Sequence, residues 1–372
     1  MNHPPFCPNP YCPNHFQAAG SWFIKTGSYH SKTAPRIQKF KCKTCGLSFS
    51  TRTFSIDYWT HRHICYHTIL CHLVTSSGIR DLSRILNASC CTVTDRIRRL
   101  AHQCLAASAS LSCNMEIAED LVADGFESFV CSQYLPNNIH ILAGKKSQFW
   151  FLSDYAQLTR KGRMTDYQKR KNKLIKEHLK LYKGSVYHSF QRVVEKTLEL
   201  QNHSKKKLLS LYTDEHKQYQ QVMKDLPAVA TGRIEHHRIS SKRIRDLHNP
   251  LFSVNYLDRE IRKDNSDHVR QTVQFARNTG NMMERLEVYR FYHNFMKPYR
   301  IRGKGDGKGP THGQVAGIDG RKIAWQLRSL FTQRRFFLRN QPMPPSSREL
   351  WLKGVQTPLR WKADYLPSYA WA

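Results

Sequence analysis

Two close pairs of cysteines near the start of the chain, Cys7-Pro-Asn-Pro-Tyr-Cys12 and Cys42-Lys-Thr-Cys45, narrow what its first part can fold into. Each spacing lets two thiolates reach one ion, and four such ligands close a tetrahedral zinc site. Between the pairs, Trp22, Phe23, Ile24 and Tyr29 surround Gly27, and Arg36 to Lys43 reads as a strand leading into the second pair. A segment this short has little core of its own, so binding the metal and folding are expected to be one event. The prediction is a zinc ribbon over 1–57, with a structural Zn²⁺ on Cys7, Cys12, Cys42 and Cys45. His15 or His3 can stand in for a ligand, but two complete pairs make that unnecessary. All 11 cysteines fall between Cys7 and Cys131. In a reducing compartment that distribution favours metal ligation over a disulfide framework.

Charge defines the partner. The chain has 372 residues, with 59 Lys and Arg against 28 Asp and Glu, a formal net charge of +31. Hydrophobic residues at 40% allow a sizeable core, so the excess belongs to a folded protein and not to a disordered tail. A field of that size calls for a polyanion, and double-stranded DNA is the expected partner. No apolar run approaches the roughly 18 residues of a membrane span, and the first residues lack a secretory core. A cytoplasmic, nucleoid-associated protein is expected.

The segment 58–113 has helical periodicity. Gly78 to Leu86 forms one amphipathic helix, Asn87-Ala-Ser89 a turn, and Cys90 to Cys104 a second helix with Val93, Ile97, Leu100 and Cys104 on one face. Two helices and a tight turn predict a helix-turn-helix DNA-binding domain, with Ser89 capping its second helix. Thr92, Thr94, Arg96, Arg98 and Arg99 fall outside the apolar stripe, where a recognition helix faces the major groove.

After Cys113 the pattern turns to β. Ile117 to Phe129 reads as a strand carrying Asp124, and Asn138 to Gly144 and Ser147 to Tyr155 follow as a meander joined through Lys145 and Lys146. Arg160 to Lys183 is strongly basic and suits a phosphate backbone. A helix from Tyr187, a fourth strand ending on Asp214, a helix, a fifth strand from Thr231 to Ser240 and a helix near Asn255 complete the order. Three antiparallel strands and then alternating helix and strand is the order of the ribonuclease-H-like fold, predicted here over 114–300. That order puts Asp124 and Asp214 on adjacent central strands. A third acid from the last helix reaches the same point, either Asp258, three residues after the expected N-cap Asn255, or Glu260, with Glu284 a later choice. Three carboxylates from separate elements are what two Mg²⁺ ions (or Mn²⁺) need for phosphoryl transfer. Beyond 300 a basic tail, 301–372, is expected to add DNA contacts, with a helix over Gly320 to Asn340. The fold class is therefore multidomain α+β.

These motifs together resemble the bacterial insertion-sequence transposases of the DDE superfamily. The resemblance rests on the paired cysteines, on VADGFESF around Asp124, LYTDEHKQY around Asp214, and NYLDREIRKD followed by RQTVQFARN and FYHNFMKPYR. It implies binding of terminal inverted repeats, Mg²⁺-dependent cleavage at the element ends and strand transfer by the freed 3′-hydroxyl, within a homo-oligomer on DNA. In such enzymes the third acid commonly follows Asn by three and precedes Arg, and Asn255-Tyr-Leu-Asp258-Arg259 fits with Asp in place of Glu. Lys145, Lys146, Arg259 and Arg262 would then hold phosphate near the metals. Two other classes share the pattern: a zinc-ribbon and helix-turn-helix regulator without catalysis, and an RNase-H-like nuclease that cuts without joining.

Overall fold

The computed structural model describes residues 3–178, 184–206, 208–230, 232–269, 274–299 and 309–336. The basic loop 301–308 and the Pro- and Trp-bearing end 337–372 lie outside them, as do the last residues of the basic run, 179–183. No helix among the described residues is long and apolar enough to cross a membrane.

The chain is mixed α and β, with two separate sheets. The first part holds a short helix α1 (Pro13–Phe16) and a three-stranded antiparallel sheet, β1 (Phe23–Ser31), β2 (Ala34–Cys42) and β3 (Ser48–Ser50). Its small core is aromatic. Trp22 stacks on Phe49 at 5.8 Å, Phe40 meets Phe23 edge-on at 5.3 Å, and Phe6 and Phe54 close the far side. Three helices follow, α2 (Tyr66–Leu73), α3 (Ile79–Ile85) and α4 (Cys90–Ser112). Asn87, in the turn between α3 and α4, takes the left-handed conformation that Asn tolerates, and Ser89 caps α4 by accepting from the Thr92 N–H at 3.2 Å.

Helix α4 runs to Ser112, well beyond the Cys104 expected from the periodicity. After Arg99 the sequence is rich in Ala and Ser and is buried on every side, Ala101, Ala106, Ala107 and Ala109 together with His102 and Gln103, so neighbouring helices pack close. One of those neighbours is α10 (Thr279–Phe295), itself buried almost all round. The pair joins the helical segment to the body.

The body is a five-stranded sheet in the order β6-β5-β4-β7-β8. Strands β4 (Leu121–Val130), β5 (Ser132–Gly144) and β6 (Trp150–Gln157) form an antiparallel meander, and β7 (Leu209–Asp214) and β8 (Ile234–Ile239) lie parallel to β4. β5 begins ahead of the expected Asn138, because Cys131 at φ 61° reverses the chain within one residue and Val130 pairs with Ser132. Helices α5 (Asp166–His178) and α6 (Ser185–Gln201) separate β6 from β7, with α6 packed on β5 and β6. Helices α7 (Lys217–Asp225) and α8 (Pro227–Ala230) separate β7 from β8, and α9 (Phe252–Asp264) lies against β4 and β5. The free edge of β6 is covered by α10, whose Asn294 accepts from the Trp150 N–H and donates to its carbonyl, both at 2.9 Å.

From Gly309 to Phe336, the segment expected to add DNA contacts packs on the rest of the fold. Helices α11 (His312–Val315) and α12 (Gly320–Leu330) bury His312, Ile323 and Leu330, and Gln326 of α12 donates to Ser110 of α4 at 3.0 Å. The helix stops at Leu330, short of the Asn340 expected, because the chain then turns back to the ribbon. There the Thr332 carbonyl accepts from the Ile56 N–H, the Arg334 N–H donates to Phe54, and Phe336 enters the aromatic cluster. Its ring meets Phe6 at 5.1 Å.

Candidate metal centre and acidic cluster

The four sulfurs of Cys7, Cys12, Cys42 and Cys45 all lie within 4.8 Å of one another. Cys7 and Cys45 are 3.6 Å apart, and Cys12 and Cys42 3.8 Å. A tetrahedron with Zn–S bonds of about 2.3 Å has S–S edges of about 3.8 Å, so the quartet fits one zinc ion without rearrangement. Outer groups are arranged to match. Asn14 donates to the Cys12 and Cys42 sulfurs and to Thr44 Oγ1. Burial pushes the Cys7 thiol up. Burial acts the same way on Cys42, but the backbone N–H groups of Cys45 and Thr44 outweigh it and bring that thiol down to about 7. His15 is turned from the quartet, its Nδ1 bonded to the Cys7 carbonyl at 2.7 Å, and His3 packs edge-on against Phe23.

A second constellation sits at the centre of the large sheet. β7 alternates, with Leu209, Leu211 and Thr213 buried on one side and Ser210, Tyr212 and Asp214 on the other. Val122 of β4 pairs with Tyr212, and Asp124 and Asp214 each lie two residues further along their parallel strands. The register therefore sets the two carboxylates side by side on one face. Asp214 accepts from the His216 N–H at 3.0 Å and Asp124 from the Gly125 N–H at 2.7 Å. Gly125 gives the Asn138 amide on β5 its space: a Cβ would come within 2.3 Å of it, and the Asn138 side chain would have to move.

Helix α9 covers the same face and brings a third acid. The helix begins at Phe252, not near Asn255, because Asn249 accepts from the Leu251 N–H at 2.9 Å and starts the turn early. Asn255 is consequently a buried first-turn residue and not the N-cap, which removes helix capping as the reason for an acid at 258. The Asp124 carboxyl is raised from 3.8 to about 7, by burial first and then by the charges of Asp258 and Asp214, with Arg245 partly offsetting them. The Tyr219 hydroxyl is pushed well up by burial and by the same three acids. Glu260 is placed elsewhere. It is buried against Lys297, just past the end of α10, in an ion pair that also takes in Asp264. Glu284 pairs with Arg98 at 2.9 Å.

Mutual repulsion in this cluster has a measurable cost. A carboxyl that titrates at about 7 in the folded chain contributes stability below its unfolded value of about 3.8 and loses it as the pH rises through 7. In EDTA, Asp124→Asn is expected to stabilise the protein by about 1–3 kcal/mol at pH 8. At pH 5, where the unfolded carboxyl is already largely ionised and the folded one is not, the gain should fall to roughly a third to a half of its value at pH 8. Denaturant melts at the two pH values check this, and an equal gain at both would mean that the carboxyl is not strained by its neighbours.

The expected DNA contacts are distributed unevenly. Thr92 and Thr94 lie half-exposed on the first turns of α4, Thr94 Oγ1 donating to the Cys90 carbonyl. Arg96 and Arg99 are corrections, since both are buried. Arg96 donates to the Arg62 carbonyl at 3.2 Å and Arg99 to those of Ile56 and Tyr58 at 3.0 and 2.5 Å, while Asp95 pairs with both. Arg98 is held by Glu284. The part of the expected outward face from Arg96 to Arg99 is packed against the 56–62 linker and α10, while Thr92 and Thr94 stay half-exposed. Lys145 lies 3.6 Å over the Tyr212 ring, Lys146 is exposed, and Arg259 is exposed with Nε bonded to the Asn255 carbonyl. Arg262 is half-buried, its guanidinium over the Phe126 ring at 4.7 Å.

Arg245 was not singled out from the sequence. It belongs to the run Ser240-Ser-Lys-Arg-Ile-Arg-Asp-Leu-His248, exposed from 241 to 248 between β8 and α9. A basic run between a strand and the helix bearing an acid is the signal that marks it.

No family model and no curated protein matches the chain. Among solved structures, a chain of the cryo-EM structure of simian T-cell lymphotropic virus intasome in complex with PP2A regulatory subunit B56 gamma is similar to it. It is 12% identical, over 68% of this chain and 72% of that one, with a TM-score of 0.24. A likeness that loose does not bear on the site.

Proposed function

We propose that this protein is a DNA transposase of the DDE type: a zinc ribbon and helix-turn-helix bind the element ends, and a ribonuclease-H-like domain cuts and joins strands. The observation that carries the reading is the acidic cluster, in which Asp124 and Asp214 stand side by side by strand register and Asp258 acts on the same carboxyl. Burial of Asp124 where the charges of Asp258 and Asp214 also act on it costs stability, so the cluster serves something other than the fold. A divalent cation relieves the repulsion, and donors that are all carboxylate oxygens suit Mg²⁺ or Mn²⁺.

In this reading Asp124, Asp214 and Asp258 hold two Mg²⁺ ions, which supply activation of a water or 3′-hydroxyl and stabilisation of the leaving oxygen. The protein's own groups place the DNA. Lys145 and Lys146, on the β5–β6 turn, and Arg245, above the acids, attract phosphate to the cluster, and Arg259 extends the same basic edge. Tyr219 stacks on Phe190 at 4.0 Å and helps to close the floor under the acids, limiting water there. The exposed face of α12, with Arg321, Lys322 and Arg328 around Trp325, continues the cationic surface away from the sheet.

The test is Mg²⁺-dependent nicking of DNA carrying the gene's own flanking sequences, with Asp214→Asn as the comparison. Cleavage at a defined position, lost in the variant and in EDTA while DNA binding persists, is expected. Binding without cleavage by the wild type would instead indicate a regulator, and cleavage with no joining of the cut end to a second duplex a nuclease.

A further inference from the structure

The linker between the ribbon and α2 contains one residue that the rest of the fold does not explain. Trp59 is 76% exposed, and its backbone sits at φ 58°, a left-handed conformation that a bulky side chain disfavours. Every neighbour is tied down. The Ile56 and Tyr58 carbonyls accept from Arg99, and the Asp57 and Thr60 carbonyls accept from Arg52 at 3.0 and 2.7 Å. Asp57 also accepts from the Thr60 N–H and hydroxyl. The Arg334 guanidinium covers the Tyr58 ring at 4.5 Å, and Tyr58 in turn meets the Trp59 indole edge-on at 5.7 Å. The buried arginines thus hold a rigid loop whose tip is an indole in water. Strain that persists because its surroundings over-determine it is a mark of function.

Position and charge point to the occupant. Three residues on, Arg62 donates to the Leu86 and Asn87 carbonyls, which fastens the linker to the turn that opens α4. The exposed residues beside Trp59 are His61, Arg62 and His63, and between Leu47 and Ile85 no other large apolar side chain is exposed. A protein partner would need an apolar rim around the indole. A polar rim that carries the Arg62 charge, with His63 bonded to Asp57 at 2.7 Å and His61 in solvent, suits a nucleobase, with phosphate at the edge and the base face on the indole.

We propose that Trp59 is a base-stacking residue that engages an unstacked base in DNA held by the adjacent helices. The inference rests on the DNA-binding reading above and adds an unpaired or flipped base to the substrate. Rigid presentation matters because a stacking contact loses its value if the indole must first be ordered.

The full-length protein is tested with two probes, a mixed-sequence duplex and the same duplex carrying a short single-stranded gap, labelled with 2-aminopurine in the gap. Wild type should bind the gapped probe more tightly and quench the 2-aminopurine. Trp59→Ala should lose about tenfold on the gapped probe, equal to about 1.4 kcal/mol, and its quenching, with duplex affinity nearly unchanged. Trp59→Phe should keep most of both. Trp59→Gly relieves the backbone, so it should melt higher than wild type while losing the gap preference. An unchanged gap preference in Trp59→Ala overturns the proposal and leaves DNA binding standing, as does a change of oligomeric state without a change in binding, which would make the indole a contact between copies. Failure of the wild type to bind either probe would defeat the DNA reading itself.

Discussion

Replacing Cys42 by Ser is expected to empty the cysteine quartet and unfold the ribbon while the large sheet survives. A structural zinc in a domain of this size contributes about 10–16 kcal/mol of apparent binding energy at neutral pH. The core of the ribbon, mainly Phe40, Phe49, Phe54 and Trp22, is too small to replace it. The consequence should spread along the chain in a specific way. Phe336 and the 332–334 segment are docked on the ribbon, so hydrogen exchange should accelerate at 331–336 as well as through β1 to β3. Amides in β4, β5 and β7 should keep their protection. The measurements are metal content by a colorimetric chelator and exchange by mass spectrometry. Wild-type protein that holds no zinc, yet protects β1 to β3, would show that the sulfurs pack without metal.

Asp258 and Glu260 are expected to behave in opposite ways, although both are acids on α9 two residues apart. Two residues turn a helix by about 200°, so the pair cannot face one metal site. Asp258→Asn should cut the rate of DNA nicking by roughly a thousandfold, about 4 kcal/mol of transition-state stabilisation, with DNA affinity nearly unchanged and, in EDTA, a melting temperature no lower than wild type because one repelling charge is gone. Glu260→Gln leaves the buried Lys297 with Asp264, 3.7 Å away, as its remaining acid, so the loss should be somewhat below the roughly 3–5 kcal/mol of a fully uncompensated buried charge. That variant should melt lower, yet nick at a near-normal rate where it remains folded. Nicking and thermal melts on both variants separate the cases. If Glu260→Gln abolished nicking without loss of stability while Asp258→Asn stayed active, the third acid would be reassigned.

How far the site was readable depends on the range of each interaction. The cysteine spacing anticipated which four sulfurs meet, because a short loop between two thiolates leaves little freedom in where they point. Alternation through Leu209 to Asp214 likewise placed the aspartate on a definite side of its strand. The recognition face of α4 was misread for a physical reason. Periodicity detects apolar stripes, whereas Arg96 and Arg99 are buried by donating to backbone carbonyls of the linker, and nothing in their own sequence marks such partners. Local pattern marks Asn255 as a cap, but the chain turns earlier, where Asn249 accepts from the Leu251 N–H and Leu251 stands at the N-cap without a side-chain bond.

The sequence by itself therefore determined the local units: the metal-ligating quartet, the strand order and the two acids at the ends of strands. Tertiary structure decided which polar groups find each other across long separations. It brought Glu260 to Lys297 and left Asp258 beside Asp124, closed Arg99 onto the loop that presents Trp59, and drew Phe336 from the far end of the described chain into the ribbon. Spacing and alternation are carried by the covalent chain within a few residues. Pairings between distant polar groups follow only from packing, once burial has forced each group to find a partner.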